Sequence, residues 1–142
     1  MYQGLLHAHS GLRWIVLLLI IINVINAAGG FSGKKVGSPK DKKLSLFALI
    51  GTHTQVLLGL ALYAMSPKVQ FTANTMSNPM LRFFTMEHTV MMLIAVVLIT
   101  IGHRQAKNGN LKKQFWYYII ALIVIIAAIP WPFRAMLGGQ WF

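Results

Sequence analysis

Leu12-Arg13-Trp14-Ile15-Val16-Leu17-Leu18-Leu19-Ile20-Ile21-Ile22-Asn23-Val24-Ile25-Asn26-Ala27-Ala28 is the stretch whose reading decides the fold. Crossing the hydrocarbon of a bilayer takes about 20 predominantly apolar residues, and this run reaches that length if its helix begins near His9. Gly4-Leu5-Leu6 and the polar His7, His9 and Ser10 lead into it. A signal peptide is the competing reading, because Asn26-Ala27-Ala28 resembles a small-residue cleavage site. The absence of a basic segment before the run and its excess length argue against that reading.

Three more runs of the same kind follow, so the chain reads as one transmembrane domain over 1–142 with spans at about 8–28, 44–65, 83–102 and 115–132. Pro130 and Pro132 flank Trp131 and mark a helix stop at a membrane interface. Of the residues, 56% are hydrophobic and only 11% charged, against about 25% charged in an ordinary soluble domain. A helix satisfies its own backbone in lipid, so the expected fold class is all-α, an integral membrane antiparallel four-helix bundle. The chain has no cysteine. That excludes disulfides, iron–sulfur ligation and covalent attachment of c-type haem.

Thirteen basic residues stand against two acidic ones. Such an excess suggests nucleic acid in a soluble protein, but here the charges gather between apolar runs. Lys34, Lys35, Lys40, Lys42 and Lys43 lie between the first and second runs, and Arg104, Lys107, Lys112 and Lys113 between the third and fourth. The opposite loop carries Lys68, with Arg82 at its edge, and the tail carries Arg134. The positive-inside rule places the two basic loops in the cytoplasm and both termini on the non-cytoplasmic face of an energy-transducing or plasma membrane, in a multi-pass chain. The partners expected are the lipid bilayer and other membrane subunits, not nucleic acid. Gly29, Gly30, Gly33, Gly37 and Pro39 predict a flexible first loop, and Asn108-Gly109-Asn110 a turn in the second.

An ionisable group inside a span costs about 2.5 to 3.5 kcal/mol on insertion scales, so each needs a partner or a task. Counting 1.5 Å per residue, Arg13 and the Glu87-His88 pair lie at one depth, roughly 6 to 9 Å outside the midplane. A cross-helix ion pair between Arg13 and Glu87 is the economical expectation, either as a site element or as a register device. Imidazole is a frequent ligand of haem iron, and a non-covalent b-type haem in a bundle needs two histidines on facing helices at similar depth. His88 is the leading ligand candidate. By the same count its partner is His53, about 9 Å away in depth, or His9, about 6 Å away. His53 lies opposite the small-residue stripe Ala48, Gly51 and Gly59, where close helix contact is expected, and a hydrogen bond across helices is the alternative role of any one of these histidines. His103, beside Arg104, is read as a headgroup contact. Met86, Met91 and Met92 around His88 read as apolar filler rather than a copper box. No phosphate loop, Ser-His-Asp set or carboxylate pair is visible, which leaves hydrolytic and phosphoryl-transfer chemistry without residues.

Gly4-Leu5-Leu6-His7-Ala8-His9-Ser10 with Leu12-Arg13-Trp14, Thr52-His53-Thr54-Gln55, Leu81-Arg82-Phe83-Phe84 with Glu87-His88, and Ile129-Pro130-Trp131-Pro132-Phe133-Arg134 together resemble a family of small bacterial four-helix integral membrane proteins often labelled cytochrome b-like. The resemblance runs over essentially the whole chain. It implies a b-type haem and a respiratory, electron-transport setting, with His7, His9, His53 and His88 at the matching positions. The leading expectation is a small redox-associated membrane subunit that binds haem b or a quinone near the outer leaflet through His88, His53, His9, His7, Arg13 and Glu87. In that reading His88, His53 and His9 supply the metal ligands, and Arg13, Arg82 or Arg134 neutralises propionates. The alternatives are a non-enzymatic accessory subunit whose buried polar residues only fix helix packing, and a proton or small-solute carrier.

Overall fold

In the computed structural model, which describes residues 1–33, 35–139 and 141, the secondary structure is helical throughout. Helix α1 covers Tyr2–Ala28 and tightens into a 3₁₀ turn at Gly29–Ser32; α2 covers Pro39–Met65. Helix α3 runs over Pro79–Lys107, and α4 over Leu111–Ala128. All four are long and apolar enough to cross a membrane. Lys34, one of the basic residues of the first loop, lies outside the described residues.

The helix ends follow local chemistry. Ser38 and Asp41 form a reciprocal cap on α2: the Ser38 hydroxyl accepts from the Asp41 amide at 3.3 Å and the Asp41 carboxylate accepts from the Ser38 amide at 2.7 Å, with Pro39 at the first helical position. Asn78 accepts from the amides of Met80 and Leu81 ahead of α3, and Asn110 accepts from Lys113 ahead of α4. Pro130 forces the residue before it out of the α region. Ile129 accordingly has φ −74° and ψ 129°, so the fourth helix stops at Ala128, four residues short of the span expected to 132. The other three helices extend past the expected spans at both ends or at their starts, because polar caps and lysines prolong a helix beyond its apolar stretch.

Helix α1 packs on α2 and α4, and α3 packs on the same two, which sets α1 and α3 on a diagonal. Val16, Leu17, Ile20 and Val24 of α1 meet Ala48, Ala95, Ile99, Tyr118, Ala121 and Ile125 in a common core. The stripe on α2 is the contact face anticipated from its small residues: a Cβ at Gly51 would lie 3.3 Å from Val16, and one at Gly59 3.2 Å from the His9 ring. The opposite faces are apolar too, with Ile25 69%, Leu57 68% and Ile123 61% exposed. A water-soluble surface rarely carries so continuous an apolar coat.

In the first loop, glycine serves contact as much as freedom. A Cβ at Gly37 would meet the Gly109 backbone at 2.6 Å, and one at Gly30 would meet Leu111 at 2.6 Å. Gly109 itself turns the second basic loop with φ +75°. At the other end the tail returns over α1: the Trp141 carbonyl accepts from the Arg13 guanidinium at 2.6 Å and from the Trp14 indole at 3.1 Å, and the Trp14 and Trp141 rings stack. The start of α1, the end of α4 and the tail thus share one end of the molecule.

Candidate functional site

At that end a cavity of about 400 Å³ opens between all four helices. Its wall includes His9 and Arg13 from α1, Thr52, Gln55 and Gly59 from α2, His88 and Met92 from α3, and Ile125 from α4; Lys68 and Gly138 reach it from the loop and the tail.

His88 owes its direction to an irregularity. Within α3 the residues Phe83–Glu87 form a π turn, closed by the His88 amide donating to the Phe83 carbonyl five residues back. One extra residue in a turn swings everything after it by about 100° relative to an unbroken helix. The widened turn is held from outside: the Tyr63 hydroxyl donates to the Thr85 carbonyl at 3.0 Å, the Gln70 amide donates to the Thr85 hydroxyl at 3.1 Å, and Thr89 donates its hydroxyl to the Phe84 carbonyl. As a result Glu87 points outward and His88 inward. The His88 Nδ1 meets the Ala128 carbonyl at 2.8 Å. An Nδ1–H donated there leaves Nε2 with its lone pair free.

The His9 ring faces His88 across the cavity, with ring centroids 6.4 Å apart and planes at 70°. Spacing of i, i+4 and i, i+3 from His9 through Arg13, Val16, Ile20 and Asn23 keeps these residues on the inward side of α1. Gly59 leaves the room the ring occupies, and the Gln55 side-chain amide donates to the His9 carbonyl at 2.7 Å. His9 Nδ1 and Gln55 Oε1 are buried with no hydrogen-bond partner among the described residues.

The expected Arg13–Glu87 ion pair does not form. Glu87 pairs instead with Arg82 of its own helix, Nε to Oε1 at 2.8 Å, with both side chains about two-fifths exposed. Equal depth was a poor guide because α1 and α3 are diagonal and the π turn rotates Glu87 away from the core. Arg13 lines the cavity and holds the tail through Trp141. Of the other residues singled out by sequence, the structure does not bring His53 or His7 to the cavity. His53 is exposed, its Nδ1 turned to the Leu49 carbonyl of its own helix, and His7 is exposed two residues before His9, on the other side of α1. Arg134 donates to the Ala127 carbonyl and lies over the Phe83 ring, away from the cavity wall. Met86 points outward, whereas Met92 lines the cavity.

Sequence reasoning missed a second polar region at the lysine-rich end. His103 is more than a surface contact: its Nδ1 meets the buried Ser45 hydroxyl at 2.8 Å, which meets the Tyr118 hydroxyl at 2.9 Å. Asn23, fully buried, donates to the Leu19 and Leu44 carbonyls and accepts from Gln114 at 3.2 Å. Asp41 accepts from Asn26 at 2.6 Å and pairs with Lys35 at 3.2 Å, and Lys35 also bonds the Asn26 side chain. Counting only ionisable residues hid Asn23, Gln114 and Tyr118, although Asn23 sits on the inward period of α1.

Compared with known proteins, the chain matches no family model, no curated protein and no solved structure.

Proposed function

We propose that the chain is an antiparallel four-helix bundle inserted in a bacterial plasma membrane, and that it binds haem b between His9 and His88 as a small redox-associated subunit of a respiratory assembly. The observation that carries this reading is the pair of imidazoles facing one another across a cavity walled by all four helices. The ring centroids stand 6.4 Å apart, which would leave room for one iron atom held by a nitrogen of each ring at about 2 Å. The residues present therefore fit the group.

In this reading His88 presents Nε2, its tautomer fixed by the Ala128 carbonyl. His9 supplies the opposite ligand from the diagonal helix, and the slot between them is bounded by α2 and α4. Gly59 admits the His9 ring, and Phe83, Phe84 and Met92 keep the surroundings of His88 apolar and exclude water. Arg13 and Lys68 are the cations on the cavity wall, placed to pair with propionate carboxylates. Bound haem would supply one-electron transfer. The apolar coat suits lipid, and the lysine-rich loops suit the cytoplasmic face, with both termini outside.

The test is the absorption spectrum of detergent-purified protein from haem-replete cells, with a pyridine haemochrome assay. A Soret band with split reduced α and β bands is expected, lost in His88→Ala and in His9→Ala and kept in His53→Ala. A colourless protein that also fails to take up added haem returns the chain to the accessory-subunit reading, in which the buried polar residues only fix packing.

A further inference from the structure

We infer that Gln55 is the positioning residue for His9, accepting the ring Nδ1–H through Oε1 so that Nε2 is turned to the iron; this rests on the haem reading above. The two histidines are not equally supported. His88 has a backbone carbonyl at 2.8 Å on Nδ1. His9 has a buried Nδ1 with no partner among the described residues, and in the same cavity Gln55 holds a buried acceptor, Oε1, that is equally unmatched. A buried donor and a buried acceptor left open in one cavity cost about 1 to 3 kcal/mol each, and closing one on the other removes both penalties.

The placement of Gln55 is specific. Its amide nitrogen already donates to the His9 carbonyl at 2.7 Å, which settles which end of the carboxamide is which and leaves only the oxygen for the ring. Gly59, four residues on and on the same face of α2, lies against Cε1 and Nδ1 of His9, so the Nδ1 edge of the ring is the edge turned to α2. Gln55 thus holds both the backbone and, on ligation, the ring of one residue. Metal-bound histidine is held by an acceptor on its other nitrogen almost without exception, and among the described residues no carboxylate lines this cavity to do it.

The experiment compares Gln55→Leu, Gln55→Glu and the outward-facing control Thr54→Val in the full chain, by haem titration into apoprotein, midpoint potential and low-spin electron paramagnetic resonance. Gln55→Leu is expected to weaken haem binding about 10- to 100-fold and to raise the potential. Gln55→Glu keeps a stronger acceptor for the ring but loses the donor to the His9 carbonyl, so it is expected to bind haem more tightly than Gln55→Leu and to move the potential below wild type, because it gives His9 more imidazolate character. A purely structural Gln55 would not produce opposite shifts in the two variants. If Gln55→Leu does not accumulate, the sign of the Gln55→Glu shift decides. Unchanged affinity and potential in the Gln55 variants, with the low-spin signal still lost in His9→Ala, overturn this assignment and leave the haem reading intact. Wild-type protein that takes up no haem overturns both.

Discussion

The two ends of the helix assembly handle buried polarity in opposite ways. At the lysine-rich end the groups answer one another: Asp41 gathers Asn26 and Lys35, Asn23 joins two carbonyls to Gln114, and Ser45 links His103 to Tyr118. At the cavity end His9 Nδ1 and Gln55 Oε1 have no partner among the described residues, and both residues line the cavity. A closed network specifies which helix lies where and asks for nothing more. On the haem reading, the open groups at the cavity are the ones a bound group would meet. The lysine-rich network is closed except at Gln114 Oε1, which has no partner among the described residues and does not line the cavity.

This contrast predicts two kinds of variant. Changes at the cavity end should act mainly on the cofactor and less on the apoprotein's stability, while changes at the lysine-rich end should do the reverse. The largest effect is expected of His9→Ala and His88→Ala, each weakening haem binding more than about 100-fold because an axial ligand is lost outright. The His9→Ala apoprotein should unfold within about 1 kcal/mol of wild type, while His88→Ala should cost about 1 to 3 kcal/mol because it leaves the buried Ala128 carbonyl without its donor. If haem survives both changes while unfolding shifts strongly, the two ends do not differ in kind.

Next in size is Gly102→Val, which drives side-chain atoms into the Tyr118 ring where even a Cβ has no room. Helices α3 and α4 would have to separate, at a cost of about 3 kcal/mol, with no change in the spectrum of whatever protein folds. Tyr118→Phe should cost about 1 to 3 kcal/mol, because it leaves the buried Ser45 hydroxyl a partner short. Both are read by unfolding in mixed detergent micelles. A spectral change in Tyr118→Phe would mean that the polar network extends functionally to the cavity, which would blur the division between the ends.

The helices were legible in the sequence because apolar length is a local signal, but their starts were not: Ser38-Pro39 and Asn78-Pro79 lie ahead of the expected spans, with Pro39 read as part of a flexible loop, and the structure makes both of them helix caps. The histidine pair was half legible. His88 and His9 both stood out, but a depth count from a helix assumed to begin near residue 8 set them about 6 Å apart in height. The helix in fact begins at Tyr2, and a π turn precedes His88. Nothing in Phe83-Phe84-Thr85-Met86-Glu87 announces a π turn, since it contains no proline or glycine and is held by Tyr63 and Gln70 from elsewhere in the chain. Which helices are diagonal is likewise a property of the packing, invisible to any count along one helix.

The smallest expected effect bears on Glu87, and it separates the two ends as sharply as the largest. Had Glu87 met Arg13 in the core, Glu87→Gln would have stranded a buried guanidinium and cost about 3 to 5 kcal/mol. In the structure it meets Arg82 five residues earlier, on the rim of the helix assembly, with both side chains about two-fifths exposed. A pair so placed contributes less than about 1 kcal/mol, and Arg82 keeps a second acceptor in the Met76 carbonyl at 3.1 Å. Glu87→Gln should therefore change stability by less than about 1 kcal/mol and leave haem binding as it was. A double-mutant cycle makes the test decisive. Coupling of Glu87→Gln with Arg82→Gln should be small but favourable, and coupling with Arg13→Gln should be zero within error. Arg13→Gln alone should act through the tail and the cavity wall, by releasing the Trp141 carbonyl and one propionate partner. A coupling above about 2 kcal/mol between Arg13 and Glu87 would put an ion pair back in the core at the cavity end, and would make that end, too, a closed network.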